Sequence, residues 1–134
     1  MIERYTKPEM AAIWSEQRKA AIMLEVELSA CEAMEKLGTV PDGTAAACRA
    51  GAASMLPENF PLERINELDA TLKHDVIAFL TGIGEVIGEP ARHLHKGMTS
   101  SDVLDTTLAV QLKQSGELIL QTLDTVLDVM EKEP

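Results

Sequence analysis

Aromatic residues are scarce in this chain of 134 residues and make up only 3% of it. A core must therefore be built mainly from Leu, Ile, Val, Ala and Met, of which Ala, Leu and Met are strong helix formers. No segment shows the alternation of apolar and polar residues that marks a half-buried strand. The composition predicts an all-α protein. The four aromatic residues are Tyr5, Trp14, Phe60 and Phe79.

Positive charge is also in short supply. The 12 Lys and Arg are outnumbered by 22 Asp and Glu, which gives a net charge of −10. Binding to a phosphate backbone needs clustered cations, so we expect no nucleic-acid partner. A small anionic ligand is compatible with this charge, because a local cationic pocket can exist on an acidic protein.

Long apolar runs are missing as well. No run approaches the roughly 18 residues that a membrane span needs, so we expect no membrane segment. Glu3 and Arg4 carry charges at the start with no apolar stretch behind them, unlike a signal peptide. We therefore expect a cytoplasmic protein. Cys31 and Cys48, the only cysteines, lie among helix formers and are predicted to be reduced and buried.

Helix signals follow one another in the first half of the chain. Pro8 suits the first position of a short helix over residues 9–14, and Ser15 is the predicted N-cap of the next helix. Gly38 supplies a left-handed end for that second helix, and Pro41 prevents its continuation. Residues 43–56 are predicted to form a short helix. The apolar face of the second helix is predicted to contain Ala21, Leu24, Leu28, Cys31 and Met34.

Two further helices are predicted before a loop. Pro57 and Pro61 bracket a loop around Phe60, and a short helix follows at residues 62–68. Asp75 is the predicted cap of a helix over residues 76–87, and residues 91–98 are predicted to be a loop. The predicted buried side of the helix over residues 76–87 consists of Ile77, Leu80, Ile83 and Ile87.

The last part of the chain predicts one long helix, beginning near Ser101. An apolar stripe runs over roughly 30 residues with no breaker stronger than Gly116, which is typical of a bundle or coiled-coil element. The stripe lacks enough partners in the chain, so it is predicted to pack on a second copy or on further chain. It contains Leu104, Leu108, Leu112, Ser115, Ile119, Leu123, Val126 and Met130.

Three segments carry residues suited to chemistry. Arg4 and Tyr5 offer a cationic fork and a hydroxyl that can hold a phosphate, or they are a surface arginine and a packed tyrosine. Lys73, His74 and Asp75 place a cation, a titratable imidazole and a carboxylate at a helix start. The alternative for this second segment is a capping aspartate beside a surface histidine.

The third segment is residues 93–102 (HLHKGMTSSD). Its hydroxyls and backbone N–H groups open the long helix and suit a carboxylate or phosphate. They also suit plain capping by Thr99 or Ser101, and the two roles are compatible. The His93-x-His95 pair lacks the further ligands that a metal site needs. We therefore expect no metal site.

Taken together and in order, these segments resemble the adenylosuccinate lyase family of the fumarase/aspartase superfamily. The matching text is residues 1–15 (MIERYTKPEMAAIWS), 24–33 (LEVELSACEA), 73–80 (KHDVIAFL) and 97–106 (GMTSSDVLDT). The resemblance implies an N-terminal helical domain over residues 1–98 and, over 99–134, the start of a central bundle of long helices. Departures from the family pattern are Lys73, where Arg is frequent, Lys96, and the poorly fitting residues 44–61.

The resemblance also implies a reaction and residue roles. The reaction is β-elimination of fumarate from adenylosuccinate, giving AMP, and from the succinylated aminoimidazole carboxamide ribonucleotide in purine synthesis, without metal or organic cofactor. Arg4 and Tyr5 would grip the nucleotide phosphate. Lys73, His74 and Asp75 would line the nucleotide site, with His74 near the reacting atoms. The resemblance assigns the substrate carboxylates to Thr99 and Ser100, and a supporting role to the imidazole of His95.

In this family the proposed acid and base lie beyond residue 134, and active sites combine several subunits of a homotetramer. We therefore expect the 134-residue chain alone to be inactive. Two alternatives stay open. One is a sister lyase acting on argininosuccinate, aspartate or carboxymuconate. The other is a non-catalytic helical module that binds a nucleotide or forms oligomers.

Overall fold

The computed structural model describes residues 2–55 and 59–132, and every regular element within those ranges is helical. The all-α prediction is confirmed. Residues 56–58, which fall in the predicted helix and loop, lie outside the described residues. In the part of the chain that is described, six α-helices follow one another: α1 (Pro8–Ile13), α2 (Glu16–Lys36), α3 (Thr44–Ala52), α4 (Leu62–Leu72), α5 (Asp75–Ile87) and α6 (Ser100–Lys132).

The core is built around α5. Helices α3 and α4 pack against α5, and α2 packs against α3 and α6. Val76, Ala78 and Ile83 are fully buried, and the Phe79 ring stacks on Phe60 with centroids 6.3 Å apart. Because so few aromatics are available, this one stacked pair fills volume that aliphatic side chains fill elsewhere.

Two glycines allow the helices to approach closely. A Cβ added at Gly82 of α5 would lie 2.5 Å from Cγ1 of Ile65 on α4. A Cβ at Gly51 of α3 would lie 2.8 Å from the carbonyl oxygen of Ile87. Both distances are shorter than nonbonded atoms tolerate. The close packing of α3 and α4 on α5 therefore requires glycine at these two positions.

Helix ends explain how the chain turns between elements. The Ser15 hydroxyl accepts a hydrogen bond from the Arg18 backbone N–H, as predicted for an N-cap. Gly38 has φ +70°, the left-handed conformation predicted for it. The predicted cap of α5 is wrong: His74, not Asp75, is the N-cap, and its Nδ1 accepts from the Ile77 N–H.

The buried face of α5 also differs from the prediction. Ile77 is 43% exposed, whereas Val76, Ala78, Phe79 and Gly82 are buried together with Ile83 and Ile87. Gly82 approaches Ile65 of α4 closely, and a glycine gives no apolar signal in a search for Leu and Ile. The predicted loop at residues 91–98 is partly wrong too, since Glu89–His93 forms a 3₁₀ helix.

Helix α6 packs on α1 and α2 through its first half. Its buried residues are Val103, Thr107, Gln111 and Ser115, four residues apart in turn. The Gln111 amide donates a hydrogen bond to the Ile13 carbonyl at 2.8 Å. The predicted apolar stripe lies mostly on another face and is exposed, as expected for a stripe without partners. Its exposed members are Leu108, Leu112, Ile119, Leu123, Val126 and Met130.

Candidate functional site

Arg4 and Tyr5 lie in a short 3₁₀ helix, Glu3–Tyr5, ahead of α1. The Arg4 guanidinium lies 4.6 Å from the centre of the Tyr5 ring and donates a hydrogen bond to the Tyr5 hydroxyl. Tyr5 is 71% exposed. The pair therefore presents a cation and a hydroxyl side by side at the surface, which is the chemistry that a phosphate requires.

Tyr5 also lines an open groove of about 350 Å³. Thr6, Lys7 and Met10 also line the groove, together with the side of α6 around Leu118 and Thr122. The Arg4–Tyr5 pair thus lies beside the middle of α6. A ligand held by this pair would extend along an apolar wall.

The Lys73–Asp75 segment forms the junction between α4 and α5. Lys73 has φ +54°, a left-handed conformation that ends α4. His74 is extended, and its Nδ1 accepts the Ile77 N–H at 3.3 Å. In the neutral ring Nδ1 is therefore the unprotonated nitrogen, and the proton is on Nε2. The exposed His74 can donate that Nε2–H to a ligand.

Asp75 borders a second pocket, of about 210 Å³. Glu16 and Asp69 contribute further carboxylates, and Lys19 is its one cation among the described residues. Leu104, in the early turns of α6, also lines it. The pocket therefore connects the start of α5 with the first turns of α6, and its acidic lining suits a neutral or cationic group better than a phosphate.

Thr99 and Ser100 lie where α6 begins. The helix starts at Ser100, which makes Thr99 rather than Ser101 the residue before its first turn. The Asp102 carboxylate accepts the Thr99 backbone N–H at 2.8 Å, and the Asp102 N–H donates to the Thr99 carbonyl at 3.0 Å. Thr99 is exposed. Two hydroxyls therefore stand at the positive end of a long helix, where a carboxylate is stabilised.

His95 lies in the connection between α5 and α6 and has φ +60°. Its backbone N–H donates to Oε2 of Glu27 at 2.7 Å, and its Nδ1 lies 2.6 Å from Oε1 of the same carboxylate. Glu27 is 0% exposed, whereas the His95 side chain is 17% exposed. Glu27 was not among the predicted site residues. Its position on the apolar stripe of α2, three residues after Leu24, was the available signal.

His93 takes no comparable place. Its Nε2 accepts from Nε of the neighbouring Arg92 at 3.2 Å. Over residues 2–55 and 59–132, no group of three or more His, Cys, Asp or Glu side chains is arranged to hold a metal ion.

The predicted site residues do not converge on one place. Tyr5 lies near Ile119 of α6, whereas Thr99 and Ser100 are at the start of the same helix. With about 1.5 Å of rise per residue, Ser100 and Ile119 are roughly 28 Å apart. The phosphate-type pair and the carboxylate-type helix start are therefore too far apart for one small nucleotide to reach both within a single chain.

Comparison with known proteins agrees with this set of motifs. A family described as lyase matches residues 3–133, and the chain belongs to this lyase family. Among curated proteins, the chain is 44% identical to the adenylosuccinate lyase of Synechocystis sp. and 39% identical to that of Bacillus subtilis, over 97% and 98% of its own length. The chain spans about 29% of the length of both relatives.

A solved structure shares the fold. The fumarate lyase of Mesorhizobium sp. superposes with a TM-score of 0.77 at 26% identity, covering 87% of this chain and 27% of that one. In the part of the chain that the structure describes, none of the helices is both long and apolar enough to cross a membrane.

Proposed function

We propose that this chain forms part of an adenylosuccinate lyase. The reaction is the β-elimination of fumarate from adenylosuccinate to give AMP, and from the succinylated aminoimidazole carboxamide ribonucleotide. The observation that carries the proposal is the 38–44% identity to four proteins of that name over nearly the whole chain. The substrate is accordingly a purine nucleotide, and no cofactor is required.

The geometry supports a division of roles. The exposed Arg4 guanidinium and Tyr5 hydroxyl would hold the nucleotide phosphate. Thr99 and Ser100, at the start of α6, would hold the carboxylates of the succinyl group. One pair would bind the phosphate end of the substrate and the other pair its succinyl end. Both pairs present hydrogen-bond donors to an anion.

The residues around α5 would act on the middle of the substrate. Lys73, His74 and Asp75 would line the nucleotide site. His74 offers a protonated Nε2 near the reacting atoms, because its Nδ1 is used as a cap. The imidazole of His95, in the connection before α6, would have a supporting role in the same site. Lys73 keeps the charge of the arginine frequent in the family but makes fewer, less directional hydrogen bonds.

We further propose that a complete site needs more than one chain, as in a homotetramer. The separation of roughly 28 Å along α6 supports this, because phosphate and carboxylates of one substrate would then contact different copies. We also propose that the 134-residue chain alone is inactive, because in this family the proposed acid and base lie beyond residue 134. The division into a domain over residues 1–98 and a bundle segment over 99–134 also stays a proposal. Free Cys31 and Cys48 favour a reducing compartment such as the cytoplasm.

The test has two arms. Fumarate release from adenylosuccinate is measured for the chain and for its His74→Ala variant, and both are expected at background. The source coding frame is then sequenced past codon 134 and its product assayed. Release by the longer product, reduced by His74→Ala, supports the proposal. A longer product that processes argininosuccinate or aspartate instead would overturn the substrate assignment. Release by the chain alone above its His74→Ala variant would overturn the proposed inactivity of the chain.

A further inference from the structure

Glu27 is a fully buried carboxylate in the middle of α2. Burial of a charge is costly unless hydrogen bonds compensate for it. Both hydrogen bonds described for Glu27 come from one residue, His95, which lies 68 positions further along the chain. An apolar residue at this position of the stripe would cost less, so the carboxylate is explained by what it does to His95.

The two hydrogen bonds hold His95 in different ways. The bond from the backbone N–H, at 2.7 Å, holds the main chain in a left-handed conformation with φ +60°. A residue that has a Cβ adopts this backbone conformation only at an energetic cost. The bond to Nδ1, at 2.6 Å, fixes the rotation of the ring. Glu27 thus determines both where the imidazole is placed and how it is turned.

The second bond also selects a tautomer. An ionised carboxylate can only accept hydrogen bonds, so the nitrogen that faces it must carry the proton. In the neutral ring, Nδ1 of His95 is therefore protonated and Nε2 keeps its lone pair. His74 is arranged in the opposite way, with Nδ1 accepting from the backbone and Nε2 protonated. The two imidazoles thus differ in what their Nε2 atoms can do.

We propose that Glu27 is a positioning residue that holds His95 as its Nδ1–H tautomer, so that Nε2 accepts a hydrogen bond from an N–H or O–H group of the substrate. The Nε2 of His74 donates a hydrogen bond, whereas the Nε2 of His95 accepts one. The inference rests on the proposed lyase function for its substrate but not for its geometry. The tautomer can therefore be tested separately from the activity.

The first test is nitrogen NMR of the histidine rings in the ¹⁵N-labelled chain, which has only three histidines. At about pH 8, His95 is expected as Nδ1–H and His74 as Nε2–H. A wild-type His95 with its proton on Nε2, or with protons on both nitrogens, would overturn the proposal even if no variant folds.

Glu27→Gln gives the sharper result. The backbone N–H of His95 needs an acceptor, so the Gln carbonyl faces it and the amide NH₂ faces Nδ1. Nδ1 must then accept, and the ring is expected to change to the Nε2–H tautomer. Glu25→Gln makes the same chemical change on the exposed side of α2, where Glu25 bonds to Arg49 and Ser29. This control should leave the His95 tautomer unchanged, and an unchanged tautomer in Glu27→Gln itself would contradict the proposal.

The second test uses the complete lyase. Glu27→Gln is expected to lower kcat/KM about 10-fold, the usual scale of one lost hydrogen bond to the substrate, with Glu25→Gln near wild type. A complete lyase in which Glu27→Gln inverts the tautomer but keeps its kcat/KM would refute the role in substrate binding. If the complete wild-type protein releases no fumarate while His95 is Nδ1–H and His74 is Nε2–H, the proposed function fails and the positioning of His95 by Glu27 stands.

Discussion

The close contact between α4 and α5 can be tested quantitatively. It matters for the candidate site because His74 caps the start of α5. The perturbation is Gly82→Ala. Its new Cβ would lie 2.5 Å from Cγ1 of Ile65. Ile65 is β-branched and buried on a helix, so its χ1 angle has one strongly preferred value and Cγ1 cannot move aside easily. Either the side chain leaves its rotamer or the two helices separate.

Gly84→Ala is the matched control, two residues further along the same helix. Its Cβ would meet only the Cβ of Ala91, at an ordinary 3.7 Å. Replacing a helical Gly by Ala stabilises by about 0.5–1 kcal/mol through the unfolded state and helix propensity. Both variants share that gain. Gly82→Ala alone adds the cost of overpacking, about 1–3 kcal/mol, and this cost is the expected difference between them.

The assay is thermal unfolding followed by circular dichroism. An unfolding entropy of about 2.1 cal/mol/K per residue gives roughly 0.28 kcal/mol/K for a chain of this length. The Tm of Gly82→Ala should then lie roughly 4–11 °C below that of Gly84→Ala. Equal Tm values, or a higher one for Gly82→Ala, would refute the close approach of α4 and α5.

Two further predictions concern titratable groups. Burial raises the pKa of the Cys48 thiol to about 11 and raises that of Cys31 as well, so neither thiol should react with a disulfide reagent at neutral pH until denaturant is added, and rapid labelling of the folded chain would contradict their burial. The Ala45 N–H, at the start of α3, lowers the pKa of Glu35 below its ordinary 4.5. The stabilisation is present above that value and is lost as the pH falls through the lowered pKa, so Tm should fall less with acid in Glu35→Gln than in wild type. Parallel acid profiles would refute the hydrogen bond from the Ala45 N–H to Glu35.

Several helix boundaries of this chain could be predicted because they rest on local chemistry. Ser15, Gly38 and Pro8 act on their own turn of backbone and need no partner from elsewhere. The cap of α5 was mispredicted because the link between α4 and α5 is short. Helix α4 ends at Leu72 and α5 begins at Asp75, so only two linking residues remain, and the side chain available in the capping position is that of His74.

The arrangement of the site could be predicted only in part. Motifs name residue types in order along the chain, and they carry no distances between segments. The pairing of Glu27 with His95 joins positions 68 residues apart, and the separation of Tyr5 from Thr99 depends on how α6 passes α1. Both follow from tertiary packing, which a single sequence does not contain. The same holds for Gly82, whose role is visible only beside Ile65.

The far half of α6 links the fold to the proposed assembly. From Ile119 to Lys132 every residue is exposed, a length of about 20 Å at the usual helical rise. An isolated helical segment this short is marginal in water unless a face of it is packed, yet its large apolar side chains contact solvent. They are Ile119, Leu120, Leu123, Val126, Leu127, Val129 and Met130.

Burial of those side chains requires a partner surface beside the middle of α6, where the Tyr5 groove also lies. The same partner would therefore stabilise the helix and bring further groups to the Arg4–Tyr5 pair. One association would thus account for two separate features, the unpacked apolar face and the distance of roughly 28 Å between the two proposed anion-binding ends. That coincidence is the structural argument in favour of the proposed multi-chain site.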